Sequence, residues 1–315
     1  MVPQSSSSSQ GSLSGALYAI GAYLLWGFLP LYFLALAPSG AFEVVSWRVL
    51  FSLVFCVLLL SVIRGGWRRL LVIIRRPRSM LLLAVAALLI LGNWLIYVLA
   101  VYAGQIVEAA LGYFITPIVS VLLGVTVLRE RLRPLQWAAI GLSVVAVVVL
   151  VVAHGSFPWI AVVLALTFGI YGLVKRAVGN SVDAVSGLTV ETALSSPFAV
   201  IVVVWLIGQG QLTFGTISPL HTGLILLAGV LTAVPLLLFA AGARRLPLAA
   251  IGLAQYIAPI LQLLVGVVIM HEEMPLERWI GFGIVWLALA VLTVDLFRHG
   301  TRQRVARLAA SSSPV

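Results

Sequence analysis

Charge is what this chain has least of. Only 9% of its 315 residues are Asp, Glu, Lys or Arg, while 62% are hydrophobic; a soluble domain carries about 25% charged residues. A chain so poor in charge cannot cover itself with a solvated surface, which excludes a water-soluble domain. Acids are the scarcer sign, nine against nineteen bases. A single cysteine, Cys56, excludes any disulfide within the chain, and its place inside an apolar run reads as a core or lipid-facing residue. The four histidines (His154, His221, His271, His299) lie near the ends of apolar runs and do not cluster, so no metal site is expected. There is no phosphate-binding loop, no Gly-rich dinucleotide motif and no Asp-rich metal pair, which excludes an ATP-driven pump in this chain alone. His271-Glu272-Glu273-Met274-Pro275 opens like a zinc-protease helix, but proline stands where the second histidine belongs. An enzyme, a lipid-modifying one included, is therefore not expected, and neither is a cofactor.

What the chain has instead is long apolar runs. A membrane span needs about 20 mostly apolar residues. Ten segments qualify: 13–36, 42–63, 80–102, 106–128, 134–153, 157–176, 184–207, 219–242, 247–270 and 277–297. The net charge of +10 suggests nucleic acid until its placement is considered. If the N-terminus is cytoplasmic, 17 of the 19 Lys and Arg fall on the inner side: six in 64–79, three in 129–133, Lys175 and Arg176, Arg244 and Arg245, and four after Phe297. Arg278 alone lies in an outer segment, and Arg48 lies inside a span. This is the positive-inside pattern at every alternate loop. It reports orientation, with both termini cytoplasmic, and contact with anionic lipid rather than a polynucleotide. Residues 1–12, polar and uncharged, are expected to form a disordered cytoplasmic tail that is not a cleaved signal, and 298–315 a second cytoplasmic tail.

The second positive feature is a repeat. Residues 111–150 and 253–292 match without gaps at an offset of 142, with Pro117/Pro259, Gly124/Gly266, Glu130/Glu272, Trp137/Trp279 and Gly141/Gly283 among the identities. Trp26-Gly27 and Tyr171-Gly172 match more faintly. The copies differ in charge: Arg129, Arg131 and Arg133 surround Glu130, whereas Glu273 and Glu277 follow Glu272. Five spans per copy is an odd number, so the copies enter the membrane from opposite faces, as in inverted-repeat transporters. The expected fold is all-α: a polytopic membrane protein with ten transmembrane helices, in a first repeat over 13–153 and an inverted second over 157–297.

The matched prolines suggest a location for function. A mid-helix proline frees the carbonyl four residues back, here those of Tyr113 and Gln255, and a freed carbonyl in hydrocarbon must meet protein, water or ligand. A packing kink satisfied by neighbouring helices is the plainer alternative, and Pro235 is a further kink candidate. The functional reading is a polar pocket near the pseudo-two-fold axis, walled by Tyr113, Phe114, Gln255 and Tyr256. Asn93, Trp94 and Tyr97 lie near mid-membrane in the third span and Tyr171 in the sixth; Asn93 reads equally as substrate contact and as interhelical glue. Charges within spans are costly and mark ion pathways or structural pairs. Arg48 and Glu191 sit at depths too different for a direct pair. Arg48 matches Glu43 and Glu108 in depth, while Glu191 has only Lys175 or Arg176 within reach. Glu108, Glu191 and Arg48 are thus the candidates for proton coupling or a charge network, with a structural clamp as the alternative.

Leu91-Gly92-Asn93-Trp94, Glu108-Ala109-Ala110-Leu111-Gly112-Tyr113-Phe114-Ile115, Glu130-Arg131-Leu132 and Gln255-Tyr256-Ile257-Ala258-Pro259 resemble the RarD subfamily of the EamA transporters, in the drug/metabolite transporter superfamily. Val234-Pro235-Leu236 and Arg244-Arg245-Leu246 fit too, and the resemblance covers about residues 13–297. It implies two inverted repeats, a bacterial inner-membrane location, and export or exchange of small organic solutes through a cavity built by the third, fourth, eighth and ninth helices. Two departures stand out: Thr116, where the family has Asn before the proline, and Trp47, where it often has His before the arginine. The expected function is a secondary-active permease for small amphipathic metabolites or drugs, in which one repeat rocks against the other. Its partners are the solute, the bilayer and, if coupled, protons; a span face could equally meet lipid or a second copy in a homodimer. The alternative is a passive channel or facilitator without ion coupling.

Overall fold

A computed structural model describes residues 6–127, 129, 134–154, 157–179, 182–243, 245–246 and 254–311. The first span is two pieces, α1 (Ser6–Gly27) and α2 (Leu29–Ala35), broken at Phe28. Pro30 opens the second piece, where a missing N–H costs nothing. Then follow α3 (Ala41–Val62), α4 (Gly66–Ile74), α5 (Pro77–Tyr102), α6 (Ile106–Thr126), α7 (Pro134–His154), α8 (Trp159–Val178), α9 (Ala184–Gly208) and α10 (Pro219–Ala243). After α11 (Ile257–Leu264) a π-helical turn, Val265–Ile269, leads to α12 (Leu276–Ser311). Among the described residues nine helices are long and apolar enough to cross a membrane, and Ile257–Ile269 is a shorter tenth. The Glu130 loop and the expected start of the ninth span, 247–253, lie outside the described residues.

Several expected boundaries move. Helix α1 begins at Ser6, inside the segment expected to be a tail, and α12 runs on through 298–311. A helix need not stop where apolar composition does: Arg, Ala and Leu sustain it beyond the membrane. The basic 64–79 stretch holds the amphipathic helix α4, which buries Leu70 and Ile73 and leaves Arg68 and Arg69 exposed. Pro117 and Pro235 lie inside continuous helices, as expected. Pro259 does not: it is the third residue of α11, following a break at Gln255–Tyr256. The first N–H groups of a helix have no intrahelical partner anyway, so this proline starts a helix and frees no interior carbonyl.

The helices close into a ring. In order around it, α1 packs on α10, α10 on α3, α3 on α9, α9 on α5, α5 on α8, α8 on α6, α6 on α11, and α11 back on α1. The pair α7–α12 stands beside α6, outside this ring. Exchanging the two five-span repeats maps the ring onto itself, which is the pseudo-two-fold symmetry of the inverted repeat. Each of these interfaces joins a helix of the first repeat to one of the second. The repeats are interleaved, not two bodies side by side. Close approach is built from glycine: a Cβ on Gly229 of α10 would lie 2.3 Å from the carbonyl oxygen of Phe51 on α3, and one on Gly112 of α6 2.8 Å from that of Ala161 on α8. Small residues let membrane helices touch at backbone distance.

Candidate transport site

Arg48, seven residues into α3 and so about 10 Å from its start, is 5% exposed. Its Nε donates to Thr232 Oγ1 of α10 at 2.9 Å. The guanidinium lies over the Trp94 ring at 4.2 Å and the Phe33 ring at 5.5 Å. No carboxylate lies within ion-pair distance of it among the described residues. A charge at such depth costs about 2.5–3.5 kcal/mol on insertion scales, and here one hydrogen bond and two aromatic faces offset part of that. The expected pairing with Glu43 or Glu108 is overturned, because both acids are used elsewhere.

At Asn93, the residue before Trp94 on α5, the polar centre continues. Asn93, buried, donates to Leu164 O at 3.2 Å and Thr167 Oγ1 at 2.9 Å on α8, and accepts from Tyr113 Oη of α6 at 3.0 Å. It ties α5, α6 and α8 together. Aromatic rings then form a line: Phe33 to Tyr97 (6.0 Å between centroids), Tyr97 to Tyr113 (5.7 Å), Tyr113 to Phe168 (5.8 Å), and Phe168 stacked on Tyr171 (5.9 Å). At its far end Tyr171 Oη donates to Glu191 Oε2 at 3.1 Å, and Lys175 Nζ pairs with Glu191 Oε1 at 2.6 Å. The sequence reading that gave Glu191 only Lys175 or Arg176 in reach matches this pair. Phe33, Phe168 and Thr232 carry the site as much as the expected residues do. Thr232 had a signal, a lone hydroxyl one turn before Pro235; the phenylalanines had none in so apolar a chain.

The remaining candidates separate from this line. Phe114 turns to α12, with its ring 6.0 Å from Phe282 and 6.1 Å from Trp286. Tyr256 packs into the same cluster. The pocket expected between Tyr113, Phe114, Gln255 and Tyr256 is therefore divided. Adjacent residues on a helix point about 100° apart, so Tyr113 faces α5 and α8 while Phe114 faces α12.

At one end of the bundle, opposite the basic 64–79 segment, three glutamates clasp backbone N–H groups. Glu43 accepts from Thr213 N (3.0 Å) and Phe214 N (2.9 Å), and from Thr213 Oγ1 (2.8 Å). Glu108 accepts from Ile160 N (3.0 Å) and more loosely from Ala161 N (3.4 Å) at the start of α8. Glu272 accepts from Ile106 N (2.6 Å) and Val107 N (2.9 Å) at the start of α6. A carboxylate at a helix N-terminus meets both free donors and the positive end of the dipole. Each clasp joins one repeat to the other. Burial raises the Glu272 carboxyl above the usual carboxylate range, opposed by the N–H bonds and by Arg278.

An aromatic-lined ring of helices with a buried arginine that meets no described carboxylate suits solute passage, and comparison with known proteins decides the class. The EamA-like transporter family matches over residues 13–152 and again over 157–294. The chain belongs to that family. Within it the chain belongs to the RarD subfamily: it is 46% identical to the protein RarD of Streptomyces exfoliatus over 96% of this chain and 95% of that one. It is 39% identical to the protein RarD of Escherichia coli K12 over 89% and 94% of the two chains. The chloramphenicol-sensitive protein RarD of Pseudomonas aeruginosa is 30% identical over 90% and 95%. One solved crystal structure shares the fold with a TM-score of 0.57 at 20% identity, over 90% of this chain and 98% of its own. This EamA chain is thus a multi-pass membrane protein of the bacterial inner-membrane type and a transporter-like permease for small solutes.

The two departures from the RarD pattern have structural places. Thr116 bonds back to Gly112 O at 3.0 Å on its own helix, so its side chain is occupied locally. Trp47 stacks on Phe51, lies tilted against Phe214 and sends Nε1 toward Glu43 at 3.4 Å, roofing the Glu43 clasp.

Proposed function

We propose that this EamA permease is a secondary-active transporter that exports or exchanges small amphipathic solutes by alternating access, with both termini in the cytoplasm. The observation that supports this most is the line of side chains from Arg48 through Trp94, Tyr97, Tyr113 and Phe168 to Tyr171. It offers a cationic end at Arg48, an aromatic flank, and a second polar end at Glu191 and Lys175, inside a ring of helices. The solute contacts are Asn93, Trp94, Tyr97, Tyr113 and Tyr171. The three glutamate clasps hold the outer end shut in this conformation and release when it opens. Because the repeats interleave, the moving bodies are sectors of the ring containing helices of both repeats, not one repeat rocking on the other.

Glu191 is the proposed coupling carboxylate. It sits beside Tyr171 within the line, and a proton on it releases Lys175. Glu108 is bound to a helix start and serves as a clasp. Uptake by the purified protein in proteoliposomes, with and without an imposed pH gradient, tests the reading. Saturable uptake that responds to the gradient supports it, with Glu191→Gln abolishing the response. Uptake that never saturates and ignores the gradient points to a channel instead.

A further inference from the structure

We infer that Arg48 is a carboxylate-binding subsite, and that the solutes this permease takes are small acids with an apolar or aromatic body; this rests on the permease reading above. Five observations carry it. Arg48 is buried, yet only its Nε has an acceptor, and no acid lies within ion-pair distance among the described residues. The acids of matching depth are committed to backbone N–H groups, Glu43 to Thr213 and Phe214 and Glu108 to Ile160, so no acid among the described residues serves as its counter-ion. Trp94 and Phe33 place their rings against the guanidinium carbon, and neither ring can accept from the terminal N–H groups as a carboxylate would, so those groups are available to a ligand. The edge they form is a fork that fits a carboxylate by two parallel bonds.

A second unfilled donor lies in the same patch. The Tyr97 hydroxyl is buried without a partner, on a ring that touches those of Phe33 and Tyr113. Buried polar atoms are nearly always satisfied, and an orphan beside an uncompensated cation marks a place for an acceptor. The repeat itself adds the last observation. Arg48 is the eighth residue of α3 and Glu191 the eighth of α9, the matching helix of the other repeat. At Glu191 the chain provides the opposite charge, Lys175. At Arg48 no described residue provides one, and the solute carboxylate takes that role, with its body lying along Trp94, Tyr113 and Phe168.

The test compares acids with their own neutral amides on the full-length purified protein: benzoate with benzamide, 3-phenylpropanoate with its amide, indole-3-acetate with indole-3-acetamide, and hexanoate with hexanamide. Binding is read by thermal shift and transport by uptake into proteoliposomes. The expected result is at least a tenfold preference for the acid within each bound pair. Arg48→Gln brings that ratio close to one, and Arg48→Lys keeps part of it. The wild-type ratio needs no variant, so misfolding of Arg48→Gln does not rescue or sink the idea; Thr232→Val, which loosens only the Nε anchor, lowers the ratio without reversing it. Amides that bind as well as their acids, a ratio that survives Arg48→Gln in folded protein, or no acid bound at all overturns the subsite. Uptake of neutral or cationic solutes alone leaves the permease standing and the subsite overturned. Arg48-dependent acid binding with no uptake of any solute does the reverse.

Discussion

The Lys175–Glu191 pair has unequal members. Glu191 is 2% exposed and the Lys175 side chain 33%. Removing the lysine strands a carboxylate in the bundle, whereas removing the acid leaves an ammonium that can turn toward water. Breaking a fully buried pair costs about 3–5 kcal/mol. Lys175→Met is therefore expected to lose about 3 kcal/mol and Glu191→Gln below about 1 kcal/mol, measured as unfolding of the purified protein in detergent. Equal losses would show that the pair is not organised this way. Gly229 gives a second residue-scale prediction. With a Cβ placed 2.3 Å from Phe51 O, Gly229→Ala forces α10 and α3 apart, and overpacking of this kind costs about 1–3 kcal/mol; a melting temperature equal to wild type sinks it. At this scale the sequence disclosed Glu191 and its partner, because both lie near one end of their helices and few cations are near. It did not disclose that Arg48 lacks an acid, because Glu43 and Glu108 are bound by backbone groups more than fifty residues away in sequence.

On the proposed reading, helix ends rather than helix middles hold the outer end closed, because the three glutamate clasps all lie there. The Glu272 clasp forms where Gly266 lets the end of the π-helical turn approach Val107, with a Cβ there only 2.9 Å from Val107 Cγ2. Glu272→Ala removes two charge-assisted bonds. In a Cys56→Ser background, a cysteine placed by Leu111→Cys should then react several-fold faster with an impermeant maleimide added from outside. Unchanged labelling would remove Glu272 from the closure. The pH dependence follows from the raised carboxyl. Between the ordinary carboxylate value, about 4.3, and the raised one, the clasped Glu272 holds a proton that the released, solvated one does not. Lowering the pH through that window favours the clasped state, so outside labelling should fall on acidification, and Glu272→Gln should flatten the dependence. The repeat marked Glu272 as important through its match to Glu130. Which donors it meets could not be read, since backbone N–H groups leave no trace in the residue pattern.

The ring makes the whole molecule one cooperative unit. Every interface around it joins the two repeats, so a half chain leaves its helix faces without partners. Residues 1–155 or 156–315 expressed alone should be degraded, while co-expression of the two should restore membrane-inserted protein. A stable, soluble-in-detergent half on its own would contradict the interleaving. Hydropathy was enough to count the spans, because each span answers to the bilayer alone and the bilayer reads composition over about 20 residues, and the positive-inside charge is what the proposed orientation rests on. The duplicated segment was enough to declare an inverted repeat, because identity in register needs no contact to be seen. Which faces meet was settled only by tertiary packing. Phe114 and Tyr113 are neighbours in sequence and members of different clusters in space, and Pro259 begins a helix where Pro117 sits inside one. In a chain that is 62% hydrophobic, nearly every helix face is apolar enough to be buried or to meet lipid. Amphipathic pattern therefore cannot choose between neighbours, and close backbone approach, carboxylate clasps and one uncompensated arginine make the choice.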